Sequence, residues 1–234
     1  MSEPRIDPAK DALLDAILPH VVFDGWAPRA FDAAVAQVGM DAAHARTLCP
    51  RGAVDLAIAY HQRGDAAMLA ALHKADMSAL RYSEKVSRAI RLRLDAIDDK
   101  EVVRRGTALF ALPHLAADGA RLVWGTADLI WDALGDTSDD VNWYSKRAIL
   151  SAVYASCVLY WLGDQSEGAT ATDAFIARRI ENVMQVEKAK AQARGNRFLG
   201  PLVKQAEGLM SRIKAPPRMP PVDLPGIWAP RGQP

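Results

Sequence analysis

The fold is decided near the start of the chain, by residues 7–50, which read DPAKDALLDAILPHVVFDGWAPRAFDAAVAQVGMDAAHARTLCP. The pair Asp7-Pro8 is typical of a helix N-terminus, because the carboxylate caps the helix and proline fits its first turn. Apolar side chains then recur at helical spacing between breaks at glycine and proline. The stretch predicts three short helices, and the apolar pattern beyond it predicts a longer fourth helix over about residues 51–73.

Three short helices ahead of a longer one are typical of a helix-turn-helix unit, and their order resembles the N-terminal module of the TetR-type regulators. For DNA binding, the third helix should carry basic and amide side chains. That segment, residues 41–48, contains one arginine, and residues 1–70 hold six basic against nine acidic side chains. Because phosphate contacts supply most non-specific DNA affinity, we expect no nucleic-acid partner. A TetR-type, ligand-responsive transcription regulator remains the alternative function.

The rest of the chain also has helical periodicity, with almost no strand-like alternation. The predicted helices cover about residues 76–97, 100–112, 114–134, 139–162, 172–193 and 197–214. We therefore expect an all-α, TetR-regulator-like domain of about nine or ten helices. It divides into a helix-turn-helix-like module (7–64), a helical body (65–193), an amphipathic helix (194–214) and a proline-rich tail (215–234).

Composition excludes several classes of protein. With 234 residues, of which 50% are hydrophobic and 24% charged, the chain can bury one sizeable core and is not disordered overall. The two cysteines, Cys49 and Cys157, lie far apart and are interpreted as reduced, buried residues. We expect no signal peptide at the start, and no apolar run is long enough to cross a bilayer.

The sequence contains no recognisable catalytic or metal-binding motif. A glycine-rich phosphate loop, G-x-S-x-G, H-E-x-x-H and C-x-x-C are all absent. The histidines are scattered, so His61 and His73 are interpreted as isolated side chains on helices, and Asp41 with His44 as a helix cap beside a surface imidazole. We therefore expect a protein that is not an enzyme, with no metal and no cofactor.

Aromatic side chains crowd into residues 124–161, which hold four of the six tryptophans and three of the five tyrosines. On the helix over 139–162 they form one apolar stripe, and a second stripe lies nearly opposite, so this helix is buried or lines an apolar cavity. Two interpretations stay open: a plain aromatic core, or a pocket for a long hydrocarbon ligand. For the second, the candidate lipid-binding residues are Phe110, Val123, Trp124, Ile130, Trp131, Leu150, Tyr154 and Trp161.

The start of that helix has a different composition. Asp139 and Asp140 occupy its first turn, where acidic groups suit the helix dipole. Trp143 and Arg147 follow at i, i+4, and we expect both at the surface. Tryptophan, tyrosine and arginine are the residue types that anchor protein interfaces, which capping alone does not explain.

At these residues the chain resembles a known family, that of the ninth coenzyme Q (ubiquinone) biosynthesis protein. The resemblance covers about residues 8–213, strongly over 105–183, and its centre is residues 135–147, which read GDTSDDVNWYSKR. Further matches are Ala148, Leu150, Tyr154, Trp161-Leu162-x-Asp164, Thr172, Phe175 and Arg179-Ile180-x-Asn182-Val183. Val141, where an aromatic residue is usual, and Lys146, where arginine is common, depart mildly from the pattern, and the proline-rich tail has no counterpart.

The resemblance implies a TetR-like fold that has turned to lipid binding. It implies an accessory protein that holds an isoprenoid quinone precursor and presents it to the di-iron demethoxyubiquinone hydroxylase. The partner-binding residues of the family fall on Asp140, Asn142, Trp143, Tyr144 and Arg147. An isoprenoid lipid or a phospholipid is the expected ligand, and a homodimer is the expected assembly.

The last predicted helix is amphipathic and flanked by positive charge, which is typical of a helix lying in a lipid headgroup region. Its candidate membrane-binding residues are Phe198, Leu199, Leu202, Leu209, Met210 and Ile213. Packing on its own domain or on a dimer mate is the alternative. We expect peripheral association with a membrane: the cytoplasmic face of the inner membrane in a bacterium, or the matrix side of the mitochondrial inner membrane for a mature eukaryotic form.

Overall fold

The computed structural model describes residues 7–195 and 214–215, with side chains described for 7–185 and 214–215. These residues form nine α-helices and one short 3₁₀ turn at Glu167–Ala169, with no β-strand among them. The helices are α1 (Pro8–Asp24), α2 (Pro28–Val38), α3 (Ala42–Leu48), α4 (Ala53–Lys74), α5 (Tyr82–Asp95), α6 (Lys100–Phe110), α7 (Ala116–Ala133), α8 (Val141–Gly163) and α9 (Thr170–Gly195). The all-α expectation is confirmed.

Aspartates fix the starts of several helices, as the sequence predicts. The Asp7 carboxylate accepts from the Ala9 backbone N–H, and Asp41 accepts from two backbone N–H groups at the start of α3. Asp140 does the same for the Asn142 N–H at the start of α8. Each cap satisfies donors that the helix itself leaves unpaired.

The N-terminal module has its own core. It joins α1, α2, α3 and the first half of α4 around Leu13, Ile17, Phe31 and Leu56, all buried. Trp26, in the turn between α1 and α2, donates its indole N–H to the Val102 carbonyl of α6 at 3.3 Å. This bond ties the module to the helical body.

The body is built around α8. This helix packs between α7 and α9, while α5 packs between α4 and α9. Leu150, Tyr154, Cys157 and Trp161 of α8 lie in this second core. Because α4 runs through both cores without a break, the predicted boundary between residues 64 and 65 falls inside one continuous helix.

Most predicted helix bounds lie within about two residues of the observed ones, and the largest difference is at the start of α5. The helix expected to start at residue 76 or 78 begins at Tyr82, because Asp76 accepts from the backbone N–H and hydroxyl of Ser78 and closes a local turn. A new start is fixed by Glu84, whose carboxylate accepts from the Arg81 backbone N–H at 2.8 Å. The helix predicted to start at residue 172 is α9, which begins at Thr170.

The amphipathic helix and the proline-rich tail lie almost wholly outside the described residues. Lys214 and Ala215, however, are described, and both contact the start of α8. The Ala215 N–H donates to the Asp139 carbonyl at 2.8 Å. The Tyr144 hydroxyl donates to the Lys214 carbonyl at 3.4 Å. Across residues 7–195, none of the helices is both long and apolar enough to cross a membrane.

Candidate functional site

A cavity of about 340 Å³ lies between α4, α5, α6, α7 and α8, and we call it the central cavity. Its wall is mostly apolar and includes the rings of Trp26, Tyr60, Phe110 and Tyr154. Ligand pockets commonly occupy about 300 to 1,000 Å³, and an empty cavity of about 150 Å³ already accepts benzene. The central cavity therefore has room for a ring with a short hydrocarbon chain.

Small side chains leave this space open. Alanines and glycines line much of the α6–α7 wall, where larger residues would fill the space. At Gly119 a Cβ atom would lie 2.8 Å from the Cβ of Phe110, so glycine is needed for α7 to approach α6 this closely. The close approach of these two helices fixes the shape of the wall.

A buried polar cluster forms one part of that wall. The Arg93 Nε donates to the Asp65 carboxylate at 2.6 Å, and its Nη2 donates to the His61 carbonyl at 3.0 Å. The Thr126 hydroxyl also donates to Asp65, at 2.9 Å, and lies 2.8 Å from the His61 Nε2. The same hydroxyl also lies 3.2 Å from the Leu122 carbonyl, so more than one acceptor is within its reach.

Burial sets the charge of each group that faces the central cavity. It lowers the pKa of His61 to about 4, with Asp65 opposing and Arg93 adding to the effect. It raises the pKa of Tyr154 to about 12. Burial also acts to lower the pKa of Arg93, but Tyr154 and Asp65 raise it above its ordinary value. At neutral pH the cluster thus holds one ion pair, a neutral imidazole and a protonated phenol.

A second cavity, of about 240 Å³, lies between α5, α8 and α9 beside the end of α7, and we call it the lateral cavity. Its wall includes Trp131, Lys146 and Leu150. The Tyr82 ring stacks on Trp131 at 5.8 Å between centroids, and the buried indole N–H of Trp131 has no hydrogen-bond partner among the described residues. The lateral cavity is the smaller of the two.

The eight predicted lipid-binding residues fall into three groups. Phe110, Val123 and Tyr154 line the central cavity, and Trp131 and Leu150 line the lateral cavity. Trp124, Ile130 and Trp161 line neither cavity. Ile130 and Trp161 are buried in the second core, and Trp124 packs against Trp143 at 6.0 Å between ring centroids. Part of the aromatic segment therefore packs as core and part borders a cavity, and the hydrocarbon ligand stays a prediction.

The start of α8 carries the predicted partner-binding residues. Asp140 caps the helix, and its carboxylate also accepts from the side-chain amide of Asn142. The Tyr144 ring is exposed, and the Trp143 ring is half-buried and lies edge-on to it at 4.8 Å. These four residues form a polar and aromatic surface at one end of the body.

Arg147 is the exception, and here the surface position expected from the sequence is wrong. Its side chain is fully buried, because the carboxylates of Asp128, Asp132 and Asp136 surround its guanidinium. The guanidinium also lies under the Trp143 ring, 4.0 Å from the centroid. Arg147 therefore positions Trp143 from beneath and makes no contact with solvent.

Among the described residues, the Arg147 cluster contains two cations and three carboxylates. Lys146 joins it through a 2.6 Å contact between its Nζ and the Asp136 Oδ1. Burial acts to raise the pKa of Asp136, but hydrogen bonds from Lys146, Ser138 and Arg147 outweigh it and lower that pKa. The Asp128 and Asp132 side chains are partly exposed, whereas the Asp136 side chain is buried.

Within residues 7–195 and 214–215, no three His, Cys, Asp or Glu side chains form a group suited to a metal ion. The two described cysteines are free and buried. The predicted membrane-binding residues, Phe198, Leu199, Leu202, Leu209, Met210 and Ile213, lie outside the described residues.

Sequence reasoning missed the polar cluster of the central cavity. It treated His61 as isolated, although Asp65 follows it at i+4 and shares its helix face. That spacing was the one available signal, because Arg93 and Thr126 reach the cluster from α5 and α7. Their meeting depends on how α4, α5 and α7 pack, which no local pattern reveals.

Known proteins resemble this chain in the same region. Residues 116–187 match the family model described as COQ9. The "Probable ubiquinone biosynthesis protein coq9, mitochondrial" of Dictyostelium discoideum is 28% identical over 190 residues, which cover 77% of this chain and 61% of that protein. The "Ubiquinone biosynthesis protein COQ9, mitochondrial" of Drosophila melanogaster is 26% identical over 196 residues, covering 82% and 60%.

The human protein of the same name is 30% identical over 90 residues, which cover 38% of this chain and 28% of that protein. The chain thus spans at most about 61% of the length of these curated relatives. The resemblance to the coenzyme Q family is confirmed, and its matched segment runs from α7 through α8 into α9.

A solved structure supports the fold. The TetR transcriptional regulator from Nitrosomonas europaea superposes with a TM-score of 0.61 at 23% sequence identity, covering 75% of this chain and 97% of that one. The expected TetR-like architecture is confirmed. At this level of identity the likeness concerns the fold alone.

Proposed function

We propose that this chain is a lipid-binding accessory protein of ubiquinone biosynthesis. It holds an isoprenoid quinone precursor and supplies it to the di-iron demethoxyubiquinone hydroxylase at a membrane surface, without performing chemistry itself. The observation that carries the proposal is the central cavity, an apolar space of about 340 Å³ inside a body whose sequence matches the COQ9 family model.

The physical basis is the insolubility of a polyprenyl chain. Each methylene moved from water into an apolar site gains about 0.8 kcal/mol, so even part of the chain binds favourably in the cavity. The cavity is too small for a whole long tail, and the remainder needs an apolar surface outside it. A membrane contacted by residues 194–214 would supply that surface, which is why peripheral attachment belongs to the proposal.

The start of α8 is the proposed site for the hydroxylase. Trp143 and Tyr144 supply aromatic contact area, while Asp140 and Asn142 supply polar groups, a combination found at interface hot spots. Arg147 acts here as a positioning residue, since its guanidinium supports the Trp143 ring. Its contribution is indirect because its side chain is buried.

Two tyrosines of α8 allow a matched test of this surface. Tyr144 and Tyr160 are both 37% exposed but lie at opposite ends of the helix. We expect Tyr144→Ala and Trp143→Ala to weaken association with the hydroxylase by about tenfold or more, measured by surface plasmon resonance. Tyr160→Ala should bind as the wild type does. Equal weakening by all three variants, or by none, would remove the assignment of this surface.

The membrane contact has a separate test. Replacing Leu202 and Leu209 with aspartate puts two charges on the apolar face of the predicted amphipathic helix. We expect the double variant to lose flotation with liposomes that contain anionic lipid, whereas the wild type floats. Unchanged flotation would refute the membrane role and leave the cavity proposal standing.

The fold likeness to a TetR regulator favours one alternative, a ligand-responsive transcription regulator. In the described module, α3 carries a single arginine, Arg46, for contact with DNA. We expect filter binding on operator-length DNA to give no salt-sensitive, sequence-specific retention. Such retention would favour the regulator instead.

A further inference from the structure

The lateral cavity reaches the surface of the body and has a mixed aromatic and aliphatic wall. The Tyr82 ring, which is 48% exposed, stacks on the Trp131 ring with the two planes 26° apart. Val183 and Met184 of α9 contribute aliphatic groups, and Met184 is exposed. Leu150 of α8 lines the same space and is buried. Together these side chains form an apolar groove with exposed edges.

The wall of this groove holds a hydrogen-bond donor for which the described residues supply no acceptor. It is the indole N–H of Trp131, whose nitrogen is buried. Leaving a buried donor unpaired costs free energy, so an acceptor is expected beside it. Lys146 is the one charged residue among the described residues that line the cavity, and its Nζ contacts Asp136 and Ser138. The groove thus suits a neutral occupant that has apolar side chains and carbonyl oxygens.

The chain returns to this end of the body immediately before its proline-rich tail. The Ala215 N–H donates to the Asp139 carbonyl, and the Lys214 carbonyl accepts from the Tyr144 hydroxyl. Asn142, which lines the lateral cavity, lies three positions after Asp139. Residues 216–234 therefore begin beside the first residues of the cavity wall.

The tail has the composition that an aromatic groove recognises. Residues 216–221 read PPRMPP, with the P-x-x-P spacing at Pro217 and Pro220. Segments of this kind favour polyproline II, whose backbone carbonyls make no internal hydrogen bond, and they dock in grooves lined by aromatic side chains. At about 3.1 Å per residue, six residues span about 19 Å. From Asp139 to Lys146 the helical rise is only about 10 Å, so the segment is long enough to cross the cavity.

From these observations we infer that the lateral cavity is the docking groove of this chain's own proline-rich tail. The P-x-x-P prolines lie against the stacked Tyr82 and Trp131 rings, and Met219 fills the apolar space beside them. A carbonyl of the tail accepts the Trp131 indole N–H. The cavity of about 240 Å³ has room for these groups, since about 150 Å³ already accepts benzene. The inference goes beyond the proposed function, which gives the lateral cavity no part.

Disulfide trapping in the full-length protein tests the docking. The cavity pair combines Arg218→Cys with Ser83→Cys, a position in the cavity wall. The surface pair combines Arg218→Cys with Thr137→Cys, an exposed position two residues before Asp139 and outside the cavity. A tail that moves freely would reach both positions, whereas a docked tail lies within disulfide distance of Ser83 alone. The two native cysteines are buried and are present in every variant.

We expect the cavity pair to form an intramolecular disulfide at least about tenfold faster than the surface pair, because docking raises the local concentration of one thiol at the other. The rates are measured on non-reducing gels under mild oxidation by oxidised glutathione. Two further changes form a matched set: a near variant, with Pro217→Gly and Pro220→Gly, and a far variant, with Pro225→Gly and Pro230→Gly. The near variant should lower the rate of the cavity pair to that of the surface pair, and the far variant should leave it unchanged.

The Trp131 hydrogen bond has its own readout. In protein labelled with ¹⁵N at tryptophan, each of the six tryptophans gives one indole N–H signal, and Trp131→Phe identifies that of Trp131. We expect its proton signal at the downfield, hydrogen-bonded position in the wild type and the far variant. It should move upfield in the near variant. The same position in all three proteins would contradict this contact.

The trapping rates decide the inference as a whole. Equal rates for the cavity and surface pairs, or a cavity-pair rate that is unchanged in the near variant, would overturn it. Cross-linked dimers in place of cross-linked monomers would overturn it too, because the occupant would then be the tail of a second copy. Far-ultraviolet circular dichroism checks that each variant is folded, so that a lost cross-link reports the tail.

Discussion

Among the side chains that the structure describes, two arginines of the body are buried, and their surroundings differ. Arg93 pairs with one carboxylate, that of Asp65, and lines the central cavity. Arg147 is surrounded by three carboxylates and lines neither cavity. The Arg93 region is a charge-balanced wall next to empty space, whereas the Arg147 region is filled and, among the described residues, holds three carboxylates and two cations.

The difference teaches that burial of a charge does not by itself identify a site. An ion pair taken out of water gains little net stability, so a buried arginine needs a reason to be there. At Arg147 that reason is architectural: the guanidinium joins α7, the α7–α8 turn and α8, and it supports Trp143. Arg93 instead joins α5 to α4, through its bonds to the Asp65 carboxylate and the His61 carbonyl, and borders the central cavity.

The largest expected effect comes from breaking the filled region. Arg147→Met leaves three carboxylates without their shared partner, and we expect the free energy of unfolding to fall by about 3 to 5 kcal/mol. Arg88→Met changes an exposed arginine of α5 and should change the free energy of unfolding by less than about 0.5 kcal/mol. Urea unfolding followed by circular dichroism measures both. Similar values for the two variants would mean that the Arg147 cluster is not structural.

The next effect concerns the cavity wall and depends on pH. His61 has a pKa of about 4 when folded and about 6.5 when unfolded, so its stability contribution is present above pH 6.5 and is lost as the pH falls towards 4. The full loss amounts to about 3 kcal/mol. Stability falls as the pH falls because the unfolded chain takes up the His61 proton at a higher pH than the folded protein does.

The measurement compares unfolding free energies at neutral pH and near pH 4. Carboxylates also titrate in acid, so the useful quantity is the difference between variants. We expect His61→Gln to be clearly less acid-sensitive than the wild type, and the surface variant His73→Gln to behave like the wild type. An acid sensitivity that is unchanged in His61→Gln would contradict the buried, neutral imidazole.

The smallest expected effect tests how tightly Arg93 is held. A Cβ at Gly64 would lie 2.6 Å from the Arg93 Nη1, whereas a Cβ at Gly125 of α7 would meet nothing within 4 Å. We therefore expect Gly64→Ala to destabilise the protein by about 1 to 3 kcal/mol despite the better helix propensity of alanine. Gly125→Ala should instead stabilise it by about 0.5 to 1 kcal/mol. Two stabilising substitutions would show that Arg93 moves aside freely.

Much of the fold could be predicted from local sequence signals. The caps at Asp7, Asp41 and Asp140 and the breaks at glycine placed most helices within a few residues, because these signals act within one turn. The start of α5 was missed, since Asp76 is an equally good cap but closes a turn instead. Local chemistry alone does not decide between two adjacent caps.

The candidate site was harder to predict, for a physical reason. Periodicity predicted that α8 has two apolar faces. It could not show which aromatic residues border a cavity, because that depends on the size of the side chains packed against them from other helices. Trp161 and Tyr154 share a stripe, but one fills the core and the other lines the central cavity. The same limit explains Arg147: its spacing from Trp143 was visible, and the three carboxylates that bury it come from α7 and the following turn.

The central claim is that the central cavity holds a lipid, and two half-buried valines test it directly. Val158 lines the central cavity and Val183 lines the lateral one, so a tryptophan at either position fills one space and spares the other. Native mass spectrometry of the purified protein reports any bound mass. The account predicts an isoprenoid-sized ligand on the wild type and on Val183→Trp, and none on Val158→Trp. A folded Val158→Trp that retains the ligand, or a wild type that carries none after exposure to isoprenoid quinone, would contradict it.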